Sequence, residues 1–246
     1  MGDNIYDKIQ EMFGLGGNNL NILEEQIDVD LQMEYYEYSK NHHEKVNEKE
    51  IIRKKDTIFE NNISLEDKKC LLVQLASIEN IEAYRTIEKY LERPNRKLHD
   101  WAKLAFQESR MLLESKLLDE NQILISTGLG GKGLKLRYFV VFYTQNGQLF
   151  SNLQQKILKS ELEYAFRKCN SEMELLEFED NLSAILCIIP LNVSIQDLFT
   201  KVLRECNQFG DFLDENYIIT NVKRFSFPEI REFLVQMENG EDFELE

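Results

Sequence analysis

Two stretches of this 246-residue chain, Tyr-Phe-Val-Val-Phe-Tyr at 138–143 and Ala-Ile-Leu-Cys-Ile-Ile at 184–189, are apolar without a break. Short runs of this kind, rich in β-branched and aromatic residues, are typical of β-strands. A strand that is apolar on both faces is covered on both faces, whereas an edge strand mixes polar residues with apolar ones. The two runs therefore predict the central strands of a covered sheet.

Three helices are expected around these strands. Ser151 and Gln154 form a capping-box pattern, which begins a helix that runs to about residue 168. Ser194 with Asp197 begins a second helix that ends near residue 210. Pro228 stands at the start of a last helix, where its missing N–H costs nothing.

The remaining strands have the composition of edge strands. Residues 172–179 and 216–223 mix polar side chains with apolar ones. The resulting order, β-α-β-β-α-β, resembles the ferredoxin-like (split βαβ) superfold. That resemblance implies that the first and third strands are central, which agrees with the two apolar runs. An extra leading strand at 122–126 is expected to form a hairpin with 134–144.

The part of the chain before this domain is helical. Residues 63–118 predict three helices, in which Leu72 and Leu75-Ala76 recur about thirty residues later as Ala102 and Ala105-Phe106. This echo, with Pro94 between helices, resembles HEAT or armadillo-type repeats over about 55 residues. Because a stable solenoid needs about three repeats, the resemblance implies that a neighbouring segment caps the stack.

Composition then divides the chain into four parts, and the predicted fold class is α+β. Residues 1–60 are read as an acidic, partly helical arm and 61–120 as the HEAT-like segment. Residues 121–237 are read as the ferredoxin-like domain and 238–246 as an acidic tail. Apolar residues on one helical face at 4–13 leave open an alternative for the arm, in which a short amphipathic peptide docks on a partner.

Charge and cysteine usage exclude several classes of function. The net charge of −15 disfavours binding of nucleic acid or an anionic membrane by the whole surface. The third predicted strand also lacks the aromatic and basic residues of an RRM. Neither nucleic acid nor a membrane is expected as a partner. The four scattered cysteines predict no metal site and no disulfide, and the absence of a signal pattern at the N-terminus predicts a cytoplasmic protein.

One region stands out electrostatically, because residues 121–160 contain no Asp or Glu. A glycine-rich loop at 128–133 opens it, and bare amides with nearby cations can bind an anion. The candidate anion-binding residues are Ser126, Thr127, Gly128, Gly130, Gly131, Lys132, Lys135 and Arg137. The alternative is an ordinary hairpin loop, since no helix follows the glycines as phosphate-binding motifs require. Burial of a strand explains the missing acids at 134–144, but not Lys156 and Lys159 on an exposed helix.

No catalytic group emerges, and no cofactor is expected. His42, His43 and His99 are not accompanied by a nucleophile in a catalytic pattern.

Two helices can cover only one face of the sheet, so a second apolar face needs the helical segment, the last helix or a second copy of the chain to cover it. The candidate interface residues are Tyr138, Val140 and Phe142. The function expected from these features is a non-enzymatic interaction or assembly adaptor, with a protein partner or a homodimer through the sheet face. The alternative is a sensor of a small anion or nucleotide at the glycine-rich loop.

Overall fold

The computed structural model describes residues 19–42 and 47–239, and within these ranges the chain is a mixture of helices and β-strands. The α+β class is therefore confirmed. The chain divides between Ser126 and Thr127 into two compact units, which we call the helical unit and the sheet unit. The amphipathic segment at 4–13 and the tail from residue 240 onward lie outside the described residues.

The helical unit contains five helices and two short strands among its described residues. They are β1 (Leu20–Ile22), α1 (Val29–His42), α2 (Glu48–Lys54), α3 (Leu65–Ala76), α4 (Ile81–Glu92), α5 (His99–Leu118) and β2 (Ile123–Ile125), with 3₁₀ turns at Lys55–Phe59 and Arg96–Leu98. Side chains cap three of these helices. The Asp28 Oδ1 accepts hydrogen bonds from the Asp30 and Leu31 amides at the start of α1. The Ser64 Oγ accepts a hydrogen bond from the Asp67 amide, and the Asn80 Oδ1 accepts one from the Glu82 amide.

The described part of the predicted arm belongs to the core of the helical unit. Tyr35 is fully buried with its ring edge-on to Trp101, at 5.0 Å between centroids. Leu23, Ile27 and Ile58 are buried in the same cluster. These residues of the predicted arm are therefore part of a packed core. Their isolated apolar side chains, spaced among charged ones, form one inward-facing surface only after the helices have packed.

The extra leading strand pairs differently from the hairpin that the sequence suggested. Ile123–Ile125 runs parallel to Leu20–Ile22, with Leu20 opposite Ile123, and both strands lie in the helical unit. About a hundred residues separate the two strands along the chain, so no local sequence pattern predicts that they pair. The sheet unit therefore has no leading strand from residues 122–126.

The sheet unit alternates strands and helices. Its elements are β3 (Gly131–Lys132), β4 (Lys135–Tyr143), α6 (Asn152–Lys168), β5 (Glu172–Glu179), β6 (Leu182–Pro190), α7 (Ile195–Asn207), β7 (Ile218–Thr220) and α8 (Phe227–Asn239). The strands pair antiparallel in the order β5-β6-β4, and both β3 and β7 lie along the other edge of β4. The two apolar runs are thus β4 and β6, the central strands. The capping box of Ser151 and Gln154 is present at the start of α6.

Helices cover both faces of the central strands. On one face, Phe142 of β4 meets Phe199 of α7 at 5.9 Å between ring centroids. On the other, Phe139 and Val141 of β4 pack in one cluster with Ile230 of α8. The last helix is therefore the element that covers the second apolar face, one of the three possibilities that the sequence left open.

This packing corrects the predicted interface. Tyr138, Val140 and Phe142 are 7%, 0% and 0% exposed. Burial raises the pKa of the Tyr138 hydroxyl to about 12. These three side chains hold the sheet to its helices and are not available to a partner or to a second copy of the chain. Among the described helices, none has both the length and the apolar character needed to cross a membrane.

Candidate nucleic-acid interface

The glycine-rich loop is a hairpin connection inside the sheet unit. Lys132 lies opposite Lys135, so Gly133 and Leu134 form a two-residue turn. Gly133 has a φ of 58°, which a glycine adopts without strain at this position of a tight hairpin. Gly128, Gly130 and Gly131 are buried, and the Gly130 amide donates to the Thr127 carbonyl. The glycines therefore allow the backbone to form this hairpin, and Gly128, Gly130 and Gly131 do not expose their amides to a ligand.

The cations of this loop already have anionic partners. The Lys132 and Lys135 ammonium groups lie 3.2 and 2.8 Å from the two carboxylate oxygens of Glu172. Arg137 binds Glu174 through two nitrogens, at 2.6 and 3.0 Å, and donates a third hydrogen bond to the Leu129 carbonyl. Hydrogen bonds from Lys135 and Lys132 lower the pKa of Glu172. The cations of the expected anion site at 126–137 therefore form ion pairs within the sheet unit. The expectation of an open anion site is corrected accordingly.

The same pattern continues along the whole of β5. Arg224 lies 2.5 Å from Glu177, and Arg231 of α8 lies 2.7 Å from both Glu179 and Asp180. We call this row of carboxylates with its lysine and arginine partners the paired edge. The absence of acidic residues from the hairpin of β3 and β4 now has a structural reason, because Lys132, Lys135 and Arg137 pair with an acidic strand on the other side of β6.

A different surface of the sheet unit is open. Between α6 and α7 lies a groove of about 460 Å³, the α6–α7 groove. Its apolar lining residues are Ala165, Val193, Leu198 and Val202, and its polar and aromatic ones include Glu161, Tyr164, Lys168, Asp197, Lys201 and Glu205. A concave site of this size, with an apolar floor and a few polar groups, is typical of ligand-binding sites.

The aromatic and cationic groups of the groove are available. The Tyr164 side chain is 49% exposed, and the Lys168 ammonium lies 4.2 Å from the centroid of its ring. Within the described parts of the chain, neither Lys168 nor Lys201 forms an ion pair. Helices α6 and α7 together carry six lysines and arginines and four acidic residues, a net charge of +2. Since the whole chain has −15, the other residues carry −17.

The groove has two chemically different ends. Helix α6 ends before Glu172 and α7 begins after Pro190, at the same end of the sheet, so the two helices run in opposite directions. Glu161 and Glu205 therefore lie towards one end of the groove. Burial first, and the charges of these two carboxylates second, raise the pKa of the Cys206 thiol to about 12. At the other end stand Lys168 and Ser194, which caps the N-terminus of α7. Tyr164 lies between the two ends along α6. A molecule in the groove therefore meets acceptors at one end and positive potential at the other.

Sequence reasoning missed most of this surface. Tyr164, Lys168, Lys201 and Glu205 stand on two helices that are separated by two strands, so no motif joins them. The available signal was Lys156 and Lys159, which no strand burial explained and which lie on the exposed face of α6. Within residues 19–42 and 47–239, no cluster of His, Cys, Asp and Glu is arranged to hold a metal ion, and the four cysteines are free thiols.

Comparison with known proteins yields similarities at the level of structure only. No protein-family model matches the chain, and no curated protein sequence does. One similar solved structure is a "putative transposase" from Deinococcus radiodurans R1, with a TM-score of 0.34, 17% identity, and coverage of 46% of this chain and 96% of that chain. Another is a REP-associated tyrosine transposase bound to a REP hairpin, with a TM-score of 0.32, 8% identity, and coverage of 42% and 68%.

These similarities contradict two expectations from the sequence. A non-enzymatic adaptor or anion sensor was expected, whereas the similar structures are described as transposases. Nucleic acid was not expected as a partner, whereas one of those structures has a REP hairpin bound. Neither expectation is retained. TM-scores below 0.5 assign no function to this chain either, so its function has to be argued from its own geometry.

Proposed function

We propose that the sheet unit binds single-stranded nucleic acid along the α6–α7 groove. The observation that carries this proposal is an exposed tyrosine between lysines that have no ion pair among the described residues, over an apolar floor. A base takes the place of the Lys168 ammonium on the ring of Tyr164, and Lys168 and Lys201 provide charge for the flanking phosphates.

Stacking and charge are the two contributions that single-strand binding requires. Every base has a flat π surface, so an exposed aromatic ring binds bases with little regard to sequence. Lysines that contact phosphates release condensed counterions, which makes the affinity depend steeply on salt. The −17 carried by the rest of the chain repels the same phosphates. Salt screens this long-range repulsion, and it also weakens the short-range contacts of the lysines with phosphates, so binding has to be measured across a range of ionic strengths.

We also propose the finer fold assignments that the sequence suggested. A ferredoxin-like sheet unit is supported by the order β-α-β-β-α-β from β4 to β7 and by the central positions of β4 and β6. A HEAT-like pairing of helices is supported by the packing of α3, α4 and α5 around one shared core. A cytoplasmic location stays a prediction from the sequence.

A charge-matched pair of variants tests the proposed function. Each variant removes two positive charges. Lys168→Ala/Lys201→Ala removes two lysines that line the groove, and Lys132→Ala/Lys135→Ala removes two lysines of the paired edge. Fluorescence anisotropy of a labelled 12-nucleotide single strand is measured across a salt series. We expect the groove variant to lower the slope of log affinity against log salt by about 1.4, since each single-strand phosphate contact contributes about 0.7.

The control variant is expected to leave that slope unchanged, because its two lysines are occupied by Glu172. Equal losses in the two variants would show that only net charge matters and would remove the groove from the proposal. No binding by the wild-type chain at low salt would remove the proposed function altogether.

A further inference from the structure

We infer that the α6–α7 groove discriminates between bases, preferring those that carry an exocyclic amino group, with Glu161 and Glu205 as the discriminating residues. This inference rests on the proposed single-strand binding. It assigns a role to the acidic end of the groove, which phosphate binding leaves unexplained.

The arrangement of the groove fits one nucleotide along its length. Glu161 and Lys168 are seven residues apart on α6, which places them about 10 Å apart along the helix axis, with Tyr164 between them. A nucleotide whose phosphate lies at Lys168 and whose base lies on Tyr164 directs the outer edge of that base towards the carboxylate end. Glu205 lies towards that same end, because α6 and α7 run in opposite directions and both Glu161 and Glu205 line the groove.

Both carboxylates have acceptor capacity for a base. Glu161 forms no ion pair with any other described residue. Glu205 accepts one hydrogen bond from the Gln208 amide at 3.1 Å and lies 3.6 Å from Arg204, with its side chain 35% exposed. The third groove acid, Asp197, stands at the opposite end, in the first turn of α7, where the helix dipole stabilises its charge. It is not part of the discriminating pair.

Ionised carboxylates accept hydrogen bonds and cannot donate them. Cytosine presents an N4 amino group, adenine an N6 amino group and guanine an N2 amino group, each of which donates. Thymine presents the O4 acceptor where cytosine presents its amino group. The one donor on this edge of thymine, N3–H, is flanked by the O2 and O4 acceptors, so a carboxylate that accepts from it also faces two oxygens. The amino group of cytosine has a single neighbouring acceptor, N3. Cytosine and thymine have the same ring size, so this difference separates them with stacking nearly constant.

The experiment compares labelled 12-nucleotide strands of dC and dT at pH 8 and low salt. The two strands have the same backbone and charge, and cytosine is unprotonated at this pH. We expect the wild-type chain to bind the dC strand roughly tenfold more tightly, the lower end of the range for one hydrogen bond to a charged group. In Glu161→Gln/Glu205→Gln the ratio should fall to about one, because an amide both donates and accepts.

A matched control removes two carboxylates elsewhere. Glu163→Gln/Glu232→Gln changes exposed residues of α6 and α8 that do not line the groove. It should raise the affinity for both strands equally and keep their ratio. Equal binding of dC and dT by the wild-type chain overturns this inference while single-strand binding stands. A preference that persists in Glu161→Gln/Glu205→Gln also overturns it, and binding of neither strand removes the proposed function with it.

Discussion

The paired edge and the α6–α7 groove contain the same kinds of side chain in opposite states. Along β5, Lys132, Lys135 and Arg137 are each within 3.2 Å of a carboxylate. In the groove, Lys168 has the ring of Tyr164 as its neighbour, and Lys201 has no ion pair within the described chain. The first set of cations joins strands of one sheet, and the second set is open to a ligand.

The difference teaches that a cationic stretch of sequence does not by itself indicate an anion-binding surface. Three of the five cations in the most basic window of this acidic chain are neutralised by Glu172 and Glu174, which lie about forty residues away in sequence. On α6, Lys159 lies 3.9 Å from Glu163, whereas Lys168 forms no ion pair with any other described residue. The topology of the sheet decides which cations are free to bind a ligand, because it brings the acidic residues of β5 and the cations of the β3–β4 hairpin to the same end of the sheet.

The largest effect is expected at the most buried pair of the paired edge. The side chain of Arg137 is 13% exposed and that of Glu174 is 31% exposed, and Arg137 also donates a hydrogen bond to the Leu129 carbonyl. Arg137→Ala leaves both acceptors without their donor and should lower the unfolding free energy by about 2–3 kcal/mol. Urea titration followed by circular dichroism measures the loss.

Arg137→Lys is the matched control, because it keeps the charge but not the two-pronged geometry. An intermediate loss is expected. If Arg137→Ala unfolds at the wild-type urea concentration, the paired edge is not a structural element, and the contrast with the groove fails.

The second effect is the converse, a loss of binding without a loss of stability. Tyr164 is half exposed, so Tyr164→Ala removes little packing. It removes the stacking surface, which is worth about 1–3 kcal/mol per base, or roughly five- to 150-fold in dissociation constant. Anisotropy with the labelled single strand measures the affinity, and urea titration checks that the fold is intact.

Tyr164→Phe keeps an aromatic ring and should bind almost as well as the wild-type chain. A Phe variant as weak as the Ala variant would mean that the hydroxyl acts and that stacking does not.

The smallest effect is a pH dependence that belongs to the paired edge. Hydrogen bonds from Lys135 and Lys132 lower the pKa of Glu172 from its usual value of 4.5. A carboxyl whose pKa is lower in the folded state stabilises the fold at pH values above the unfolded-state pKa. That contribution disappears as the pH falls through the folded-state pKa. The wild-type chain should therefore lose stability from about pH 4.5 downward, and Glu172→Gln should lose less.

Urea midpoints at pH 7 and pH 3.5 measure this difference. Glu163→Gln, which removes an exposed carboxylate of α6, is the control and should follow the wild-type pH dependence more closely. Identical pH dependence in the wild-type chain and Glu172→Gln would contradict an energetic role for the lysine pairs.

Much of the local structure was predictable from sequence. Ser64, Ser151 and Ser194 each cap the helix that their spacing predicts, with the side-chain oxygen accepting a backbone N–H in the first turn. The central positions of β4 and β6 follow from their unbroken apolar runs. These features are local, since a cap needs residues three apart and a strand needs only its own side chains.

The candidate site was not predictable to the same degree. Tyr164 and Lys201 line the same groove because α6 and α7 pack side by side on one face of the sheet. They lie 37 positions apart in sequence, so no local pattern indicates that they share a site. Lys156 and Lys159 indicated an exposed cationic helix, but the glycine-rich loop carried a stronger local signal and pointed to the paired edge.

The sequence by itself determined the α+β class, the helix starts and the two covered strands of this protein, because capping and hydrophobic periodicity act over a few residues. Only the tertiary structure decided which charges are neutralised, which apolar faces are covered and which strands of the helical unit pair. Those outcomes depend on contacts between segments tens to a hundred residues apart. Such contacts form only when packing offsets the entropy of closing long loops, so no short stretch of sequence contains them.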